Sequence, residues 1–254
     1  MIISGAGPAG CTAALALGSS GLKTLLVEKK KFPREKICGD AIPAYVPKVL
    51  RTINHDYAEA FEKLTPGKKV NTCRIVAPDK NILDLVFPEY GFICKRIDLD
   101  NFLFRLVSEI SDIKILQGTD VKDVQADDDY FTVKTGNGLS LKSRLIIGCD
   151  GATSSTREKL SGVKYDPASF SFAVRTYFRN VKDIPEETFE LHYLKDYLPG
   201  YLWIFPLPGN ISNAGLGIPF KMIAEKKINP KKEFLKIIDN YPGIKERFSD
   251  AEMV

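Results

Sequence analysis

The sequence has 254 residues, 44% hydrophobic and 27% charged, enough apolar material for a packed core and too much for a disordered chain. Its net charge of +4 is spread along the chain, which leaves no concentrated basic footprint for nucleic acid. No apolar run reaches the roughly 20 residues that a membrane-spanning helix needs.

Five cysteines, Cys11, Cys38, Cys73, Cys94 and Cys149, are an odd number without CxxC spacing. That argues against a disulfide framework and against a zinc site, so no metal is expected and a reducing compartment fits best. The N-terminus lacks the basic-then-apolar pattern of a signal peptide. The expectation is a cytoplasmic protein with at most peripheral membrane contact. Two basic runs, EKKKFPREK (28–36) and EKKINPKKE (225–233), read as solvated surface, the alternative for the first being that it faces a phosphate.

The first thirty residues read strand, glycine turn, helix, strand. MIIS is a short apolar strand and GAGPAG the turn. CTAALALGSS is a small-residue helix that can pack closely on a sheet, Gly21 its stop, and KTLLVE a second buried strand. This is half of a doubly wound unit. The first strand is short for the centre of such a sheet, which predicts that the fold starts upstream of Met1. Helical spacing follows in VPKVLRTI and YAEAFEKL. VNTCRIVAP and NILDLVFP, joined at DKN, read as a hairpin inserted between the dinucleotide-binding elements.

IDLDNFLFRLVSEI then has Leu99, Phe102, Leu103, Leu106, Val107 and Ile110 at helical spacing, with Asp98 positioned to cap. IKILQG, DVKDVQAD, YFTVKTG and LSLKSRLIIGCDG read as strands, the last ending in an apolar run suited to a buried sheet position. Beyond residue 165, FSFAVRTYFRN, ETFELHYL, YLWIFPLP and NAGLGI look like antiparallel strands of a second sheet, followed by one or two helices within 220–248. The sequence thus predicts an α/β fold in two interleaved parts. Residues 1–69 and 96–164 form a Rossmann-type domain; residues 70–95 and 165–254 form a mostly antiparallel β-sheet substrate domain lying over the cofactor.

In GAGPAG, Gly5 permits the tight turn, Gly7 lets backbone approach a pyrophosphate, and Gly10 lets helix meet strand. The N-terminus of the helix that follows offers free N–H groups and a partial positive charge to phosphate. Glu28 ends the second strand 18 positions after Gly10, where a carboxylate can take ribose hydroxyls. The turn alone does not separate FAD from NAD. LIIGCDGATSSTR places Asp150 and Gly151 after a strand, where they can reach the middle of an extended dinucleotide such as FAD. The plain alternative is a strand-turn-helix junction with Asp150 as cap.

GAGPAG with Glu28, KRIDLDNFLFRLV with Arg96, and GCDGATSSTR, in this order, resemble the para-hydroxybenzoate-hydroxylase-type flavoprotein superfamily. REKICGDAIP and YLWIFPLPGNISNAGLG resemble its geranylgeranyl reductase family. The resemblance implies that Gly5, Gly7, Pro8, Ala9, Gly10, Glu28 and Lys29 hold the adenosine diphosphate end of FAD, with Arg34, Arg96, Asp150 and Gly151 nearby. It implies that Cys38, Gly39 and Asp40 approach the isoalloxazine. Tyr201, Trp203, Phe205 and Pro206 would then line an apolar substrate cavity, the alternative being plain core on a strand. For Cys38 the alternative is a small buried hydrophobe.

The function so implied is an FAD-dependent oxidoreductase that reduces C=C bonds of an isoprenoid lipid, with Cys38, Asp40 or Tyr201 as the proton source. The electron donor, NAD(P)H or a reduced carrier, stays open, as does the oligomeric state. The runner-up is an aromatic monooxygenase or a halogenase, although halogenases pair two tryptophans where this sequence has only Trp203. A third reading is a non-catalytic FAD-binding protein. Superfamily members carry a further Gly-Asp segment leading into a helix beneath the flavin, and the sequence reaches Val254 before one, so a truncated chain is expected. His55 and His192 read as structural, and the Ser/Thr cluster 153–156 lacks the His partner of a hydrolase triad.

Overall fold

The computed structural model describes residues 1–64, 67–163, 166 and 169–254. In chain order, β1 (Ile2–Ser4) leads through the glycine turn to α1 (Pro8–Leu17) and then β2 (Thr24–Glu28). The helix begins inside the glycine motif, because proline's fixed φ suits the first helical position and its missing N–H would go unbonded there. Next come β3 (Ala41–Ile42), α2 (Val46–Ile53) and α3 (His55–Glu62), then the long hairpin β4 (Lys68–Val76) and β5 (Ile82–Ile93). In α4 (Arg96–Ser108), Asp98 sits within the first turn and does not precede it as a cap.

β6 (Ile113–Gln117), β7 (Val121–Ala126), β8 (Phe131–Thr135), β9 (Ser140–Ser143), β10 (Ile146–Gly148) and α5 (Ser155–Ser161) follow. LSLKSRLIIGCDG is therefore two strands. The Ser143 hydroxyl makes the break by bonding both the N–H and the C=O of Leu145. The chain continues with β11 (Ser171–Arg179), β12 (Thr188–His192), β13 (Tyr201–Leu207) and β14 (Ile211–Pro219). It ends in α6 (Phe220–Lys226), α7 (Pro230–Asn240), α8 (Lys245–Phe248) and β15 (Glu252–Met253). Three helices stand where one or two were expected.

The chain divides into two units. The first comprises Met1–Glu35, Val49–Glu62 and Ile97–Tyr165. Its parallel sheet has the order β10-β1-β2-β6, and a three-stranded antiparallel sheet, β7-β8-β9, packs with it through Ile2, Val27, Val121, Val124 and Val133. β10 is an outer strand in this order and only half buried, with Leu145 exposed, against the expectation of an enclosed strand.

The second unit comprises Lys36–Lys48, Lys63–Arg96 and Asp166–Val254. Residues 36–48, placed with the first part on sequence, fall here because β3 pairs with β5. The sequence boundary at 164–165 lies outside the described residues. Eight strands run in the order β15-β11-β14-β13-β12-β4-β5-β3, all antiparallel except β12 with β4. A parallel pair needs a long connection, and the chain between β4 and β12 is long enough to supply it. Leu202, Ile204, Leu216 and Ile218 face Phe234, Ile237 and Ile238 of α7 on one side of this sheet.

Arg247 of α8 locks the same side. Its Nη1 lies 2.5 Å from Glu190 Oε2, and Nε and Nη2 each donate over 3.1 Å to the carbonyls of Lys182 and Asp183. Burial pushes the Glu190 carboxyl up, but His192 and Arg247 outweigh it and hold the pKa below its ordinary value of 4.5. A depressed carboxylate contributes stability that is present above the unfolded-state pKa and lost as pH falls through the folded value. Glu190→Gln is expected to cost about 1–3 kcal/mol at neutral pH and to flatten the loss of thermal midpoint on acidification. Melting curves across the acid range check this; an unchanged acid slope would contradict it.

Candidate functional site

In the first unit the glycine turn is shaped by two close approaches. A Cβ on Gly10 would overlap the Gly5 carbonyl oxygen and come within 2.9 Å of its carbon, so only glycine lets α1 start this near β1. Gly7, the N-cap of α1, makes no side-chain cap bond, and the first turn holds no acidic residue. The first amides of α1 are thus uncapped around Pro8 and the exposed Ala9, which favours an anion there.

Glu28 is buried at the end of β2. It accepts the amides of Ala6 at 2.8 Å and Lys30 at 3.0 Å, so it fixes the turn as well as offering a carboxylate. Arg34 packs behind the turn. Its Nη1 pairs with the buried Asp100 at 2.9 Å, and its guanidinium sits 4.8 Å from the centre of the Phe32 ring, itself stacked on Phe104. Nη2 would stand 3.7 Å from a Cβ on Gly7. Nε is buried without a hydrogen-bond partner, 3.6 Å from Glu28 Oε1. A guanidinium whose Nη2 lies beside the open Gly7 and the uncapped helix start suits a pyrophosphate. Lys29 is exposed.

Asp150 follows β10 and caps α5. It accepts the Thr156 amide at 3.0 Å, the Thr156 hydroxyl at 3.1 Å and the Ser154 hydroxyl, while Ser154 Oγ accepts the Arg157 amide. Its carboxylate is thus engaged as the plain reading had it. Gly151 beside it, with φ +90°, is exposed and meets nothing within 4 Å of a would-be Cβ.

The second unit holds the remaining predicted residues. Alternation along β13 puts Tyr201, Trp203 and Phe205 on one face, with ring centres 6.2 Å apart at each step. Tyr193 and Phe189 extend the row at 5.8 and 5.5 Å. Trp203 and Phe205 are buried with Val70, Ile93 and Leu207, while Tyr201, 36% exposed, is the accessible end. Pro206 points to the opposite face, as the period of two requires. Gly215 on β14 lies opposite Trp203, and a Cβ there would overlap the indole.

Cys38 is half buried, and its carbonyl accepts Asn213 Nδ2 at 2.9 Å. Gly39 lies against Phe205 and Trp203. Asp40 is fully buried: Oδ2 accepts the Tyr177 hydroxyl at 2.7 Å and Asn213 Nδ2 at 2.8 Å, and Oδ1 accepts the Arg96 amide at 3.2 Å. Burial pushes its carboxyl up, and the bonds from Tyr177 and Asn213 offset this only in part. Arg175 and Lys95 lie 4.1 and 4.9 Å from the centre of the Tyr177 ring.

Sequence reading missed Asp100, Tyr177, Arg175 and Asn213. Asp100 was findable as an acid on the apolar stripe of α4, and Asn213 as the first residue of the NAGLG segment. Tyr177 and Arg175 carried no local signal, because only strand register sets Tyr177 beside Asn213. Among the described residues no group of three or more His, Cys, Asp or Glu could hold a metal, and no helix is long and apolar enough to cross a membrane.

A parallel sheet with an uncapped glycine turn, an acid closing the second strand and a cation behind it defines a dinucleotide-binding protein. Residues 1–196 match the FAD binding domain family; the chain belongs to that family, and FAD is its cofactor. It is 29% identical over 227 residues to menaquinone reductase of Mycobacterium tuberculosis H37Rv, covering 85% of this chain and 54% of the relative. It is 29% identical over 266 residues to digeranylgeranylglycerophospholipid reductase of Methanocaldococcus jannaschii, covering 99% and 62%. The chain thus spans little more than half the length of these relatives.

Among solved structures, a geranylgeranyl bacteriochlorophyll reductase-like protein of Thermoplasma acidophilum superposes with TM-score 0.80 at 21% identity, over 100% of this chain and 63% of that one. A flavin-dependent brominase gives 0.82 at 22%, over 100% and 64%. These two likenesses establish the shared fold.

Proposed function

We propose that the protein containing this chain is an FAD-dependent oxidoreductase that reduces C=C bonds of an isoprenoid lipid. The observation that carries the reading is the row of aromatic rings on β12 and β13, set against the KICGD turn and ending at the accessible Tyr201. A row of rings at about 6 Å steps is a largely apolar face of the kind a prenyl chain packs on. Relatives named as geranylgeranyl-type and menaquinone reductases support it, since these names share prenylated molecules.

In this reading Gly5, Gly7, Pro8, Ala9 and Gly10 hold the pyrophosphate on the start of α1, with Arg34 Nη2 beside it. Glu28 and Lys29 serve the adenosine end, the Asp150–Gly151 turn the middle, and Cys38, Gly39 and Arg96 the flavin end. Bound FAD supplies hydride chemistry. The chain supplies dryness, orientation and a proton. Cys38 and Tyr201 keep the access a proton donor needs; Asp40, sealed by its donors, positions the turn. Tyr201, Trp203 and Phe205 face the substrate side, and Pro206 braces the strand from behind.

Anaerobic incubation of the chemically reduced full-length protein with geranylgeranyl lipids, menaquinone and simple phenols tests this. Reoxidation of the flavin by the prenyl lipids is expected. Reoxidation by none of them, with oxygen-dependent hydroxylation of a phenol, would replace the reading with a monooxygenase.

A further inference from the structure

Asn213 on β14 is wholly buried, and chemistry fixes the sense of each hydrogen bond of its side chain. The Trp203 indole N–H only donates, so the amide atom 2.9 Å from Nε1 is the oxygen. Nδ2 must then be the donor to both the Cys38 carbonyl at 2.9 Å and Asp40 Oδ2 at 2.8 Å. One amide therefore grips residues 38 and 40 together. Between them, a Cβ on Gly39 would lie 3.1 Å from the Phe205 ring, so the turn lies close on the aromatic face. Asp40 itself has φ +69°, a conformation rare for a residue with a side chain and kept only where surroundings hold it.

We propose that Asn213 is a positioning residue for Cys38: it ties the Cys38–Asp40 turn to the Trp203 indole, so the aromatic face sets where Cys38 stands. The importance of Cys38 rests on the reductase reading above. The test below reads the turn without substrate, so failure of that reading would leave its outcome untouched.

Trp203 is the only tryptophan in these 254 residues, so in this chain its emission reports on this network. Asn213→Asp keeps an acceptor for the indole but aims a second carboxylate oxygen at two acceptors, the Cys38 carbonyl and Asp40. The other charged and titratable groups around the pair are Tyr177 and Arg175 on β11 and Arg96 after β5, with Lys95 over the Tyr177 ring. A proton taken up between about pH 8 and about pH 5 restores a donor, because paired carboxylates titrate high.

The expected result has two parts. Emission of the variant differs from wild type at the alkaline end and converges on it at the acid end, while wild type stays flat. Alkylation of Cys38, followed peptide by peptide, runs about ten-fold faster than wild type at the alkaline end and returns toward the wild-type rate at the acid end, the factor one lost buried hydrogen bond brings to an opening equilibrium. A packing role would give no acid rescue.

Should Asn213→Asp not fold, Trp203→Phe removes the donor that orients the amide while keeping a ring, and faster Cys38 alkylation is again expected. Wild-type alkylation of Cys38 in whichever variant folds overturns the proposal, whatever the emission does. Faster alkylation of Asn213→Asp without acid rescue overturns it as well.

Discussion

Gly10→Val leaves the protein without FAD. A Cβ at position 10 already overlaps the Gly5 carbonyl oxygen and would sit 3.3 Å from Cys149 Cβ, and valine adds two methyl groups to that overlap. The Gly5 backbone lies on one side and the Cys149 side chain, just past β10, on the other, so the helix start must move away from β1. That shifts the uncapped amides of α1 off the phosphate position. Overpacking of this kind costs about 1–3 kcal/mol or more, and misplacing the phosphate site adds to it, so affinity is expected to fall about 100-fold or further. Flavin absorbance of the purified full-length variant, beside its circular dichroism, measures this. A folded variant that stays yellow at one FAD per chain would show that Gly10 does not set the phosphate site.

Trp203→Ala costs about 3–5 kcal/mol, which lowers the thermal midpoint by about 10 °C. The indole is 5% exposed, bedded over Gly215 and bonded to Asn213, so truncation opens a cavity and leaves Asn213 Oδ1 buried without its donor. Tyr201→Ala, at the accessible end, is expected to leave the midpoint within about 2 °C, since exposed truncations seldom reach 1 kcal/mol. Equal destabilisation by the two variants, or none by Trp203→Ala, would contradict the division of this face into a buried part and an accessible part.

Much of this was legible in the sequence where local rules act. The glycine turn, Glu28, the small-residue run of α1 and the periodicity of α4 fix the dinucleotide-binding half, because spacing and burial act over a few residues there. The hairpin of β4 and β5 was legible for the same reason. β10 misled because an apolar run of three or four residues states burial, not position in the sheet. Segment 36–48 was misplaced because its two-residue strand pairs with β5, some fifty residues on, and nothing local announces that. The Asp40 network draws on residues 38 to 213, so only the folded register brings it together; the sequence showed its ends, KICGD and NAGLG, but not the bond between them. Pro206 travelled with its motif, whereas strand alternation alone turns it from Phe205.

The most direct test of the central claim is the mass of a geranylgeranyl lipid after anaerobic turnover by the reduced full-length protein in deuterated water. Saturation of a double bond by hydride and a proton predicts a product heavier by two deuterium atoms per bond reduced, because the transferable hydrogen of reduced flavin exchanges with the deuterated water and the proton comes through an exchangeable group such as the Cys38 thiol or the Tyr201 hydroxyl. Unchanged lipid across prenyl lengths, with oxygen incorporated into an aromatic compound once air is admitted, would contradict the account.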